Sequence, residues 1–97
     1  MQFKKELRPL VIDGEVTTSV RIWQKPRVKA GNRYPLGAGH VVVDRISEIS
    51  LEDITPTIAR ESGFASVVDL LKTAKHGSGR RVFFVEFHYV EEPVDHG

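Results

Sequence analysis

The chain has no cysteine, one methionine and one tryptophan. Without a thiol there is no disulfide framework, no thiolate metal site and no cysteine nucleophile. Long apolar runs are missing too. Nothing approaches the roughly 18–20 residues that a membrane-crossing helix needs, and the N-terminus has no apolar signal-peptide core. Net charge is almost absent, since 14 Lys and Arg stand against 13 Asp and Glu for a formal charge of +1. Nothing global therefore draws the chain onto nucleic acid, and any anion site must come from local clustering. What remains is ordinary globular composition: 97 residues, 40% hydrophobic and 28% charged. That suits a single domain over 1–97 with one modest core, expected to be cytoplasmic and to have no membrane partner.

The most informative stretch is Gly14–Arg33, GEVTTSVRIWQKPRVKAGNR. Val20 and Ile22 share one parity, while Thr17, Ser19, Arg21 and Trp23 share the other. A strand sends alternate side chains to opposite faces. One face is thus expected to join a core while the other presents hydroxyls, a cation and a ring. Lys25, Arg27, Lys29 and Arg33 follow, with no acidic residue between Arg21 and Arg33. Interleaved with Trp23 and Tyr34, they have the makings of a phosphate-binding groove with stacking platforms. The plain alternative is a solvated basic loop whose tryptophan packs on the fold.

The rest of the chain divides on its glycines and prolines. Phe3, Leu7, Leu10 and Val11 recur at helical spacing, and Pro9 suits a first turn, which predicts a short helix over Arg8–Asp13 closed by Gly14. A strand over Thr17–Trp23 follows, then a long loop with a short extended piece at Arg33–Leu36. His40–Leu51 is rich in β-branched residues, and Ile46 and Ile49 break its alternation, which predicts a bulge or bend near Arg45. Thr55-Pro56 opens one helix and Gly63 ends it. Ser66 and Asp69 have capping-box spacing, ahead of an apolar stripe of Val67, Leu70, Leu71 and Ala74. A turn over His76–Arg81 leads to an alternating strand, RVFFVEFHYV, and a polar tail from Glu91 that is expected to fray. Strands at both ends with two short helices inserted late give an α+β fold, a small mixed β-barrel with helices at one end and side.

FKKELRPLVIDGEVTTSVRIWQKPRVKAGNRY resembles the N-terminal half of the ASCH-domain family, within the PUA-like β-barrel superfamily. The likeness runs from about Phe3 to Val90 and includes ITPTIARESGFASVVDLL and VFFVEFHYV. The family signature reads G-x-K-x-x-E-x-R or G-x-K-T-x-T-x-R. Gly14, Thr17 and Arg21 match it, Ser19 stands in for the threonine, and Val16 occupies the lysine position. The resemblance implies a cleft beside the motif that takes RNA or a nucleotide. One branch resembles an amidohydrolase of acetylcytidine that uses the motif lysine, the threonine and a helical glutamate. By position those roles fall to Val16, Ser19 and a residue near Glu61 or Ser62. Valine can neither carry charge nor move a proton, which counts against that chemistry.

The expectation is an RNA- or nucleotide-binding module that needs no cofactor or metal. Thr17 and Ser19 would hydrogen-bond the ligand, and Arg21, Lys25, Arg27, Lys29 and Arg33 would neutralise phosphate. Trp23 or Tyr34 would stack. The rival is a hydrolase, an amidohydrolase or ribonuclease, with Ser19 and Glu61 taking part. A third reading takes Thr55–Thr73 as a helix-turn-helix, although Val67, Val68, Asp69, Leu70 and Leu71 offer no early side chain suited to a base edge. His40, His76, His88 and His96 are scattered, and only Glu86 and His88 share a strand face.

Overall fold

The computed structural model describes residues 2–74 and 80–91. The elements in chain order are α1 (Arg8–Ile12), β1 (Thr18–Trp23), β2 (Arg33–Leu36), β3 (Gly39–Ile49), a 3-10 turn (Leu51–Asp53), α2 (Pro56–Glu61), α3 (Val67–Ala74) and β4 (Arg81–Glu91). Local chemistry accounts for most of these boundaries. Pro9 sits in the first turn of α1, and Gly14 follows it at φ 80. In α2 the Thr55 hydroxyl accepts the Ile58 N–H at 3.2 Å, and Pro56 needs no partner for a donor it lacks. The Ser66 hydroxyl caps α3 in the same way, accepting the Asp69 N–H at 3.2 Å. β2 and β3 meet through the two-residue turn Gly37–Ala38, with glycine first at φ 59 as a type II′ hairpin requires.

The sheet is wholly antiparallel in the order β1-β4-β3-β2, curled into a half-barrel. The mixed barrel expected from the sequence is therefore corrected to an open sheet. Four strands are too few to close upon themselves, and β1 and β2 remain as edges. The predicted bulge falls between Val43 and Arg45. Of the expected turn over His76–Arg81 only Arg80 and Arg81 are described, and Arg81 already belongs to β4. Glu91 ends β4, and the tail beyond it lies outside the described residues, as do His76 and His96. No helix among the described residues is long and apolar enough to cross a membrane.

Both faces of the sheet are covered. On one, Phe3, Leu7 and Val11 from the N-terminal segment and α1 pack onto Val41, Val43, Phe83, Val85 and Phe87. On the other, Ile54, Ala59, Leu70 and Ala74 from the helical insert pack onto Val20, Ile22 and Val82. Phe64 packs against both clusters, from the turn between α2 and α3. Gly63 makes that turn possible, because its φ of 89 excludes ordinary side chains and an added Cβ would run into Leu7 Cδ2. Gly63→Ala is therefore expected to cost about 2–3 kcal/mol from strain and overpacking together, measured by urea denaturation with an unchanged m-value.

Candidate anion-binding cleft

β1 is an edge strand, and its hydrogen-bond phase decides what lies beside it. The Phe87 N–H donates to the Thr17 carbonyl at 2.9 Å. Thr17, Ser19, Arg21 and Trp23 thus turn their main chain towards β4, and Thr18, Val20 and Ile22 turn theirs outward. Along this edge runs a cleft of about 550 Å³. Gln2, Phe3 and Lys4 wall one side, Phe64, Thr73 and Ala74 the other, with Ser19, Arg21, Trp23, Arg27 and Val28 between them.

Arg21 is the centre of the cleft. Its Nε donates to Ser19 Oγ at 2.8 Å, its Nη2 donates to the Gln2 carbonyl at 2.6 Å, and the Phe3 ring centroid lies 5.2 Å from its Cζ. Glu86 on the neighbouring strand does not pair with it. Glu86 lies 4.0 Å from Arg45 instead, and no carboxylate among the described residues pairs with Arg21. Burial without a counter-charge pushes its pKa down to about 10. Holding the charge there carries a desolvation penalty. Because the folded value lies below the unfolded one, this penalty is complete at neutral pH. It shrinks only as pH rises through 10 towards the ordinary arginine value.

The other residues proposed from sequence divide. Ser19 and Arg27 share the cleft with Arg21. Trp23 also lines it but is not presented for stacking. It is only 8% exposed, and its ring lies 5.8 Å from that of Phe83, tilted by 36°. Tyr34 is half-buried at the first core, and its hydroxyl accepts the Lys29 N–H at 3.1 Å. Thr17 is exposed just before β1, while Lys25 and Lys29 are exposed on the loop and line neither described concavity. Arg33 opens onto a separate concavity. The basic loop therefore does not close as one groove, because the chain crosses from one edge of the sheet to the other within it.

The hydrolase pair is not brought together either. Glu61 is exposed at the end of α2 and does not line the cleft, and Val16, at the motif lysine position, is buried in the first core. Ser62 is the neighbour that does reach β1, its hydroxyl 2.9 Å from that of Thr18. In α3, Leu70 and Ala74 are buried in the second core, while Val68, Asp69 and Lys72 are exposed. No sequence signal points to Gln2, whose contribution is a main-chain carbonyl, or to Phe64 and Thr73, which arrive from the distant insert. No family model, no curated protein and no solved structure matches this chain.

A half-buried charge without a counter-charge weakens the fold that carries it. Arg21→Met is expected to raise the unfolding free energy by about 1 kcal/mol or more at pH 7, read from urea denaturation without ligand.

Proposed function

We propose that the protein is a cytoplasmic binding module for single-stranded RNA or a nucleotide-like anion, held in the cleft around Arg21. On this reading the chain is a small member of the ASCH family with a PUA-like fold. One observation carries it: a half-buried guanidinium that has no carboxylate partner among the described residues, inside a cleft large enough for a ligand. A fold tolerates such a cost where a ligand supplies the missing charge. Lys4 and Arg27 add positive charge to the cleft walls, and no acidic residue among those described lines them. Phe3, Val28 and Phe64 provide apolar walls against which a base can lie. The Gln2 carbonyl, at 2.6 Å from Arg21 Nη2, occupies a position that a phosphate oxygen would take.

Fluorescence anisotropy of a labelled single-stranded RNA tests this. The log of affinity is expected to fall with the log of salt by about 0.7 for each phosphate neutralised. Arg21→Met with Arg27→Ala is expected to weaken binding at least tenfold and to flatten that slope. Salt-insensitive binding, or a double variant that binds as well as the parent, would remove the proposal.

A further inference from the structure

On the face of the sheet opposite Arg21, β2, β3 and β4 present a second concavity of about 500 Å³. Arg33, His40, Val42, His88 and Val90 line it, and Glu91 lies at the end of β4. Arg33 pairs with Val42, and Val42 with His88, so the cation and the imidazole stand abreast across three strands with an apolar residue between them. His40 pairs with Val90 one step along the same face.

The bulge in β3 gives this group its chemistry. Val43 pairs with Phe87 and Arg45 with Glu86, leaving Asp44 as the extra residue. A bulge re-aims a side chain, and here the Asp44 carboxylate meets His88 Nδ1 at 2.9 Å. The two side chains remain 49% and 51% exposed. An ionised carboxylate can only accept, so in the neutral imidazole this contact puts the proton on Nδ1 and leaves the lone pair on Nε2. An imidazole oriented by a carboxylate, in an open hollow that an arginine also lines, is the equipment of a general base acting on an anionic substrate.

We propose that this second hollow is a metal-independent transesterification site for single-stranded RNA, with His88 as the base. His88 Nε2 takes the proton of a ribose 2′-hydroxyl, and the 2′-oxygen attacks the adjacent phosphorus. The bond from phosphorus to the 5′-oxygen breaks, its electron pair leaves with that oxygen, and solvent water protonates it. The hydroxide so formed takes the proton back from His88. The products are a 2′,3′-cyclic phosphate and a 5′-hydroxyl, with no oxidant, metal or second substrate consumed. Arg33 balances the charge that builds on the phosphoryl oxygens. Val42 and Val90 give the ribose an apolar floor, and Asp44 is a positioning residue. The polymer is delivered as the RNA reading of the Arg21 cleft requires. The basic loop joins the two sites, with Arg27 and Val28 lining the cleft and Gly31 and Arg33 lining the hollow.

The test is incubation of the full chain with a fluorescent single-stranded RNA in EDTA, with end-group analysis of the products. Cleavage to 2′,3′-cyclic phosphate ends is expected. His88→Ala is expected to slow it about 100-fold or more, to respond to added imidazole, and to keep its circular dichroism and RNA affinity. Asp44→Asn is expected to lower kcat at unchanged KM, and Asp44→Glu to recover part of the loss. RNA that is bound but not cut, or cleavage that needs a divalent metal or survives His88→Ala, overturns the proposal and leaves the Arg21 cleft as it stands. Cutting of a dinucleoside phosphate by a protein that shows no salt-dependent RNA binding supports the His88 site and overturns only the Arg21 reading.

Discussion

The fold depends on β4 being apolar on both faces. It is bonded to β1 on one side and β3 on the other, so it holds the sheet together by hydrogen bonds. It also holds the two cores together by alternation. Phe83, Val85 and Phe87 go to the cluster under the N-terminal segment, and Val82 goes to the cluster under the helices with Phe84 packed against it. Yet β4 is the last of the described elements. β1 and β3 do not pair with each other and are joined only through it, so most pairings span long sequence separations. Folding is correspondingly governed by loop closure rather than by local helices.

Covering a small sheet on both faces consumes most of its apolar side chains, and the edge along β1 is where the two coverings fail to meet. The cleft is that gap. Phe64 bridges the coverings at one point, and Gly63 lets it cross. Arg21 lies in the gap, close enough to the N-terminal segment to lose water but out of reach of any acidic side chain among those described. By contrast, Arg81 shows what an arginine on this sheet does when free to choose. It forks onto Glu48 at 2.7 and 3.2 Å, raising its own pKa and lowering that of the carboxyl, where the hydrogen bond is the larger effect. Arg21 has been placed where that escape is closed.

Element positions were legible in the sequence because the signals that set them are local. Pro9, Gly14, Thr55-Pro56, Gly63 and Ser66 each act within a few residues of themselves, and the elements begin and end beside them. Ile46 and Ile49 betrayed the bulge for the same reason. Burial was less legible. The Ser19, Arg21 and Trp23 parity looks like a solvent face, but Phe3 and Leu7 cover it, and nothing within β1 announces them. Trp23 consequently became core. His88 shares a strand face with Glu86, but the bulge gives it Asp44 as its partner, since one inserted residue changes which side chain faces a neighbour. The family resemblance remains a proposal, and the cleft stands on its geometry.

An open sheet has two rims, and each is a template on which another chain could add a strand. Here the two are shielded by different means. The outward groups of β1 border the cleft, between the N-terminal segment and the end of α3. β2 is only four residues long and carries Arg33 and Pro35, one a charge and the other a residue with no N–H to offer. The fold can thus leave its barrel unclosed without inviting its own copies to finish it.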